Sequence, residues 1–201
     1  MHKGSENRRN QDDQEPPRVL IVGTGAVGGF YGGRLALARA RVATLCRSDY
    51  ETVRSQGIMV KSVWGDFQFT PEKVIRRAAE YGPPPDYILV ALKVLPGVDP
   101  VEIIRDAVGP ETAIILVQNG IGIDEPVAAA FPRNEVIGAV AFIAVSRTGD
   151  SWIIQRPFSR KGYQHEQSHS LHPCSSLERR RGGFRQAERA HDDRQRIRWE
   201  D

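Results

Sequence analysis

The sequence predicts an α/β fold built on a parallel, doubly wound sheet. Short apolar runs alternate with helix-like segments from residue 18 onward, which is typical of strands that are buried on both faces. A glycine-rich turn directly follows the first apolar run and opens a helix. No apolar run reaches the ~20 residues that a membrane-spanning helix needs. We therefore expect a Rossmann-type domain.

The predicted elements follow one another in the order strand, helix, strand. The first unit consists of a strand at 19–22, a helix at 30–40 and a strand at 42–46. Two strands near an edge of the sheet are predicted at 57–63 and 66–69. Further strands are predicted at 87–92, 113–117 and 136–145, and further helices at 50–55, 101–108 and 125–131. This alternation favours a parallel sheet with crossover helices.

Three regions of different character divide the chain. Residues 1–17 are polar, have no apolar stretch like that of a secretory signal, and are predicted to be a disordered leader. Residues 18–155 are predicted to form the nucleotide-binding domain. Residues 156–201 have no valine and carry 11 Lys/Arg against 7 Asp/Glu, so they have little to bury. We expect a disordered or aberrant tail there, and a frameshifted reading frame is one hypothesis for it.

Charge and cysteine content limit the classes of partner. The net charge of +3 arises from the tail, which argues against a basic domain for nucleic acid. Two cysteines form no disulfide framework, so a reducing, cytoplasmic compartment is expected. The protein is predicted not to bind a membrane, and a homodimer is compatible with the sequence. A metal-like spacing occurs in the tail, but no visible core would fix the ligands, so no metal is predicted at His165, His169, His172, Cys174 and His191.

The glycine-rich turn at 23–28 (GTGAVG) has the pattern of a dinucleotide-binding loop. Gly23 permits a tight turn, Gly25 lets a pyrophosphate approach the backbone, and Gly28 lets the helix pack closely on the strand. The N-terminus of the helix offers N–H groups to the phosphates. A tight turn without a ligand is the alternative, but the position after a buried strand favours nucleotide binding.

The end of the second strand indicates which nucleotide is bound. NAD-preferring sites usually carry Asp or Glu there to accept a hydrogen bond from the ribose 2′-hydroxyl, whereas this chain has Arg47. The planar guanidinium suits a 2′-phosphate, so NADP(H) is predicted over NAD(H). A solvated surface arginine is the alternative. Asp49 is nearby, but it is predicted to cap the next helix.

Two polar residues follow later strands. Lys93 ends the strongest internal strand, and Asn119 follows the strand at 113–117. Ligands of open α/β sheets lie beyond the carboxyl ends of the strands, so both residues are predicted to face the cofactor crevice. A solvated lysine and an Asn-Gly hairpin turn are the alternatives. A helical segment follows Asn119, which favours a βα loop.

These motifs together resemble the N-terminal half of the ketopantoate reductases (2-dehydropantoate 2-reductases). The strings that carry the resemblance are RVLIVGTGAVGGFYGGRLA, the strand-end Arg47, DYILVALK, ILVQNGIG and VIGAVAFIAV. The resemblance runs from residue 18 to residue 154 in the family's order. The cofactor-binding residues that it implies, together with the motifs above, are Gly23, Thr24, Gly25, Ala26, Val27, Gly28, Arg47, Lys93, Asn119 and Ala144.

The resemblance also implies a reaction. The family transfers a hydride from NADPH to the keto carbon of ketopantoate, and a lysine in a Trp-x-Lys string protonates the alkoxide. That string opens a helical second domain. Here the corresponding string ends with Trp199, Glu200 and Asp201, so an aspartate stands at the position of the lysine. No catalytic residue is assigned, Asn119 is a candidate substrate or cofactor contact, and negligible reductase activity is predicted for this chain alone.

Two other functions stay open at the sequence level. One is a binding module that holds NADP(H) without chemistry. The other is a different dehydrogenase, of the hydroxyacid or opine type, that shares only the first unit. The spacing of Lys93 and Asn119 favours the ketopantoate reductase reading, whose substrate would be a small 2-keto acid.

Overall fold

A six-stranded parallel sheet forms the centre of the fold. The computed structural model describes residues 15–149 and 152–156. The strands of this sheet are β1 (Arg18–Val22), β2 (Arg41–Leu45), β5 (Lys73–Ile75), β6 (Tyr87–Val90), β7 (Ala113–Leu116) and β8 (Val136–Gly138). All neighbours are parallel, in the order β5-β2-β1-β6-β7-β8. The strands on one side of β1 (β2 and β5) come first along the chain, and those on the other side (β6, β7 and β8) follow. This order confirms the predicted doubly wound fold class.

The strands of this sheet are buried on both faces, as their apolar runs predict. In β1, Leu20 and Val22 belong to one core cluster, while Val19 and Ile21 belong to the cluster on the opposite face. This alternation follows from the period of two residues along a strand. Because both faces are covered, β1 is a central strand, and its carboxyl end lies at the middle of the sheet edge.

Short α-helices connect the strands. Within the described residues they are α1 (Ala26–Leu37), α2 (Tyr50–Gln56), α3 (Pro100–Ile104) and α4 (Glu125–Ala130). At the start of α3, the Asp99 side chain accepts a hydrogen bond of 2.8 Å from the backbone N–H of Val101, which satisfies one of the free donors of the first turn. No helix in residues 15–149 and 152–156 is both long enough and apolar enough to cross a membrane.

A second sheet packs against α1. Its strands, in the order β4-β3-β10-β9, are β3 (Ile58–Lys61), β4 (Phe67–Phe69), β9 (Val145–Thr148) and β10 (Trp152–Gln155). The glycines of α1 allow this contact. A Cβ atom on Gly29 would lie 2.4 Å from Ile153 Cδ1, and one on Gly33 would lie 2.6 Å from Phe67 Cε2. The close approach explains why α1 tolerates glycines that disfavour a helix by about 1 kcal/mol each.

The structure corrects the predicted strand 136–145. Strand β8 ends at Gly138, and β9 begins at Val145 in the other sheet. The neighbour of β8 is β7, which ends at Leu116, and the last bond between them runs from the N–H of Ala139 to the carbonyl of Leu116. Beyond that point, the described residues contain no strand that pairs with this run. The apolar run therefore leaves the sheet, and Phe142 within it is 75% exposed.

Other differences concern short elements. The strands predicted at 57–63 and 66–69 belong to the second sheet, whereas one edge of the first sheet is β5, which was not predicted. β5 has only three residues and no continuous apolar run, so period and hydrophobicity do not reveal it. Helix α1 begins at Ala26, not at residue 30, because the glycine-rich turn itself supplies the first helical turn. The predicted leader up to residue 14 and the predicted tail from residue 157 lie outside the described residues.

Candidate functional site

The carboxyl edge of the parallel sheet gathers the residues predicted for nucleotide binding. Gly23 follows β1 directly, Arg47 lies two residues past β2, and Lys93 lies three residues past β6. Asn119 lies three residues past β7. Because these four strands are adjacent and parallel, their carboxyl ends share one edge, with the change of winding direction between β1 and β6. Open α/β sheets bind ligands at such a switch point.

A hydrogen bond on one side and close packing on the other hold the glycine-rich turn between the ends of β2 and β6. The N–H of Gly23 donates to the carbonyl of Leu45, the last residue of β2, at 3.2 Å. On the other side, a Cβ atom on Gly23 would lie 2.9 Å from Leu92 Cδ2. Gly23 also has φ +93°, a conformation that side chains rarely adopt. Both its space and its backbone conformation therefore require glycine.

The other two glycines of the motif have opposite surroundings. A Cβ atom on Gly28 would lie 2.0 Å from the carbonyl oxygen of Gly23, so helix α1 closes tightly onto the turn. A Cβ atom on Gly25 would meet nothing within 4 Å, and the backbone there, φ −62° and ψ −167°, suits any residue. The protein's own packing thus explains Gly28 but not Gly25. Glycine at position 25 leaves open space at the start of α1.

This open space has the electrostatics of an anion site. Gly25 is the N-cap of α1 and has no side chain to cap the free N–H groups of the first turn. The first turn carries no acidic residue. The N-terminus of a twelve-residue helix therefore faces the opening with its partial positive charge. A pyrophosphate fits the residues present here by charge and by hydrogen-bond donors.

The loops after β6 and β7 are joined by a side-chain hydrogen bond. The Nε2 group of Gln118 donates to the carbonyl of Leu92 at 2.8 Å. This bond brings the loop of Asn119 against the loop of Lys93, and both of these residues are exposed. Arg47 is also exposed, at the opposite side of the turn. The predicted polar residues thus surround the glycine-rich turn without being buried in the fold.

Ala144 lies at a different kind of position. It precedes β9, in the connection that starts at the carboxyl end of β8. Ala144 is half-buried, and its carbonyl accepts a hydrogen bond of 2.9 Å from the N–H of Arg156. The connection begins at the edge that carries the other predicted residues, while the carbonyl of Ala144 is held by the second sheet. Its predicted role near the nicotinamide stays a prediction.

A buried polar cluster beneath the turn was missed at the sequence level. The hydroxyl of Thr24 donates to Asp49 Oδ2 at 2.5 Å, and the guanidinium of Arg147 donates to the same oxygen at 2.9 Å. Arg147 also donates to the backbone carbonyl of Thr24 at 3.0 Å. Asp49 is the N-cap residue of α2, as predicted, but its side chain accepts no capping hydrogen bond from that helix. The carboxylate binds Thr24 and Arg147 instead.

The cluster controls the protonation of its members. Burial by itself would raise the pKa of Asp49, but hydrogen bonds from Thr24 and Arg147 and the charge of Arg147 outweigh burial and lower that pKa below its ordinary value. Burial raises the pKa of the nearby Cys46 thiol, whose sulfur lies 3.3 Å from the Thr24 hydroxyl. At neutral pH the cluster therefore holds an ionised Asp49 and an inert, neutral Cys46.

Acid is expected to weaken the fold through Asp49. Its pKa is lower in the folded chain than the ordinary value of 3.8, so its stabilising effect is present above that value and is lost as the pH falls through the folded-state pKa. Cys46, whose pKa is raised by burial, stays neutral throughout this range. Asp49→Asn should be less stable than the parent chain by about 3 kcal/mol at pH 7, because it leaves Arg147 without its anion.

Urea unfolding at several pH values measures this effect. The gap in unfolding free energy between the parent chain and Asp49→Asn should shrink as the pH falls below the ordinary carboxyl range. A gap that stays constant down to the lowest pH would show that Asp49 does not carry the acid sensitivity.

Comparison with known proteins identifies the family. The chain matches the family model described as "Ketopantoate reductase PanE/ApbA" over residues 19–162. The chain belongs to the ketopantoate reductase family. The matched residues include both sheets of the described structure, so the second sheet belongs to the family match as well as the six-stranded parallel sheet.

Individual relatives agree with this result. A 2-dehydropantoate 2-reductase of Nostoc sp. is 34% identical over 141 residues, which are 68% of this chain and 42% of that protein. The crystal structure of 2-dehydropantoate 2-reductase from Methylococcus capsulatus is 48% identical, with a TM-score of 0.67, and covers 71% of this chain and 46% of the other. The enzyme structure from Geobacter metallireducens is 36% identical, with a TM-score of 0.64 and coverages of 69% and 46%. The chain spans less than half of the length of these relatives.

The described residues contain no cluster of side chains suited to binding a metal ion. No group of three or more His, Cys, Asp or Glu residues suited to a metal ion occurs among residues 15–149 and 152–156. The histidines and the cysteine of the predicted tail lie outside those ranges, as does Asp201, which the sequence predicts to stand at the position of the family's lysine.

Proposed function

We propose that this chain is the NADP(H)-binding part of an oxidoreductase that reduces ketopantoate to pantoate. The observation that carries the proposal is the arrangement at one sheet edge of the glycine-rich turn, with its open position at Gly25, and the exposed Arg47. Relatives named 2-dehydropantoate 2-reductase supply the reaction. The part of the chain concerned is residues 18–155, and the compartment is the cytoplasm, where pantoate synthesis from a 2-keto acid would take place.

The choice of NADP(H) over NAD(H) rests on two side chains past the end of β2. Arg47 is exposed and offers a planar pair of donors that suits a 2′-phosphate. Asp49, the acidic residue nearest to it, is 8% exposed and is bonded to Thr24 and Arg147. It is therefore not available to accept from a ribose hydroxyl, as an NAD-preferring site requires.

The remaining residues have roles that follow from their places at the edge. Backbone N–H groups at the start of α1 hold the pyrophosphate, with Gly25 allowing its approach. Lys93 and Asn119 lie on joined loops and contact the nicotinamide end of the cofactor and the substrate carboxylate by charge and by hydrogen bonds. NADPH, when bound, supplies the hydride. The substrate is a small 2-keto acid of the ketopantoate type.

A second candidate function is a module that binds NADP(H) without chemistry. It is favoured by the same geometry, because every residue placed at the sheet edge serves the cofactor. A third, a hydroxyacid or opine dehydrogenase, receives no support from the relatives named above.

Nucleotide titration of the purified chain tests the proposal. We expect NADPH to bind at least about tenfold more tightly than NADH, as one charge-assisted pair with the 2′-phosphate contributes about 1.5–3 kcal/mol. Nucleotide fluorescence reports the affinities. Equal affinities, or no binding of either nucleotide, would contradict the assignment.

A second measurement separates the enzyme from the binding module. Ketopantoate added to the NADPH-bound chain should shift the NMR resonances of Lys93 and Asn119, whereas pyruvate, which lacks the branched end, should shift them less. A response to neither keto acid would favour the module.

A further inference from the structure

Arg147 and Asp49 join the second sheet to the glycine-rich turn. Arg147 lies on β9, and its guanidinium reaches the carboxylate of Asp49 at 2.9 Å and the backbone carbonyl of Thr24 at 3.0 Å. The hydroxyl of Thr24 completes the cluster by donating to the same carboxylate oxygen. Thr24 lies between the first two glycines of the motif, so the turn is held through both its backbone and its side chain.

This arrangement is more than a surface ion pair. Thr24 is 3% exposed and Asp49 is 8% exposed, and the side chain of Arg147 is 24% exposed. A carboxylate this buried needs a compensating charge and hydrogen bonds, and here it has both. The side chain of Thr24 is buried against Asp49, whereas a Cβ atom on Gly25 would meet nothing within 4 Å. The cluster therefore holds the buried side of the turn, while the space around Gly25 stays open for phosphates.

We propose that Asp49 and Arg147 are positioning residues that hold the glycine-rich turn in the shape that binds the cofactor pyrophosphate. The inference rests on the proposed NADP(H) site. Because the pyrophosphate is common to NADPH and NADH, loosening the turn weakens both nucleotides by the same factor. The ratio of their affinities, which Arg47 sets, stays unchanged.

The pair also explains why strand β9 belongs to the nucleotide site. Without Arg147, the ionised Asp49 would stand beneath a turn that has to accept a pyrophosphate, and like charges would repel. With Arg147 in place, the carboxylate is neutralised inside the protein. The second sheet, through Arg147 on β9, thus supplies the counter-charge of Asp49.

Three variants and one control test the proposal in the full chain. The variants are Asp49→Asn, Arg147→Met and the double substitution, and the control is Thr112→Val. Thr112 is buried and donates to the carbonyl of Pro85 at 2.7 Å, at the start of β7 and hence at the opposite edge of the sheet. The hydroxyl of Thr112 also accepts from the N–H of Gly109 at 3.0 Å, so the control loses two buried hydrogen bonds without touching the turn.

Nucleotide affinity and thermal unfolding are measured for each variant. Both single variants should bind NADPH and NADH about tenfold more weakly and unfold at a lower temperature. The double variant should regain much of the stability, because no charge is left unpaired, but it should not regain the affinity. Recovery of affinity together with stability would show a merely structural pair. Tighter binding by Asp49→Asn would show that Arg147 acts by touching the phosphates directly, and either result overturns the proposal.

Amide hydrogen exchange without nucleotide gives an independent readout. Peptides that cover the turn should exchange at least about tenfold faster in all three variants than in the parent chain, and Thr112→Val should leave them unchanged. Unchanged exchange in the variants overturns the proposal. If exchange rises but the parent chain binds neither nucleotide, the pair does hold the turn and the proposed NADP(H) function is what fails.

Discussion

Gly28→Ala should destabilise the fold strongly, while Gly25→Ala should leave the fold intact and weaken nucleotide binding. The Cβ atom added at position 28 would lie 2.0 Å from the carbonyl oxygen of Gly23, a distance at which the backbone must move. Overpacking of this kind costs about 3 kcal/mol or more. For a chain of this size, that corresponds to a fall in melting temperature of roughly 6–12 °C.

Gly25→Ala is the matched substitution because it adds the same methyl group three residues earlier in the same glycine-rich turn. Its φ and ψ suit alanine, and the added atom meets nothing within 4 Å, so the melting temperature should stay within about 2 °C of the parent value. The methyl group would occupy the space through which a pyrophosphate reaches the N–H groups of α1. NADPH affinity should therefore fall at least about tenfold.

Calorimetry and nucleotide titration on the same preparations decide the matter. Loss of stability in both variants would mean that the turn is built only for packing. Unchanged NADPH affinity in a stable Gly25→Ala variant would mean that the phosphates do not approach the turn at that residue.

The central strands could be predicted from the sequence because each is an uninterrupted apolar run. β1, β6 and β7 lie in the middle of a parallel sheet, where both faces are covered, so burial alone selects such runs. β5 has one neighbour and three residues, and its pairing with β2 depends on register that no local pattern encodes. The run at 136–145 fails in the opposite way, since an apolar sequence continues after its partner strand has ended.

The site divides along the same line. Gly23, Gly25 and Gly28 are recognisable because their spacing along one turn has a local mechanical reason. Arg47, Lys93 and Asn119 are recognisable because the ends of parallel strands share an edge, and the structure places them at that edge. Arg147 could not be found this way. Arg147 is separated from Asp49 by 98 positions in the sequence. It lies on β9, a strand that the sequence pattern did not predict.

Replacement of Arg47 by alanine should convert a chain that prefers NADPH into one that does not discriminate. Arg47 is exposed, and no described contact ties it to the fold, so its loss should leave the melting temperature unchanged within about 2 °C. NADPH affinity should fall about 10–100-fold, the equivalent of one charge-assisted pair with the 2′-phosphate, whereas NADH affinity should not change. Arg47→Lys should lie between the two, because lysine keeps the charge but loses the planar pair of donors.

A charge control completes the experiment. Arg133 is exposed and precedes β8, so it lies at the amino edge of the sheet, away from the proposed site. Arg133→Ala removes the same charge and should leave both affinities unchanged. If it lowers NADPH affinity as much as Arg47→Ala does, the preference comes from the net charge of the chain and not from a contact with Arg47. If Arg47→Ala keeps the parent ratio of NADPH to NADH affinity, the 2′-phosphate is bound elsewhere, and the neighbouring end of β5, with Arg76 and Arg77, becomes the next place to test.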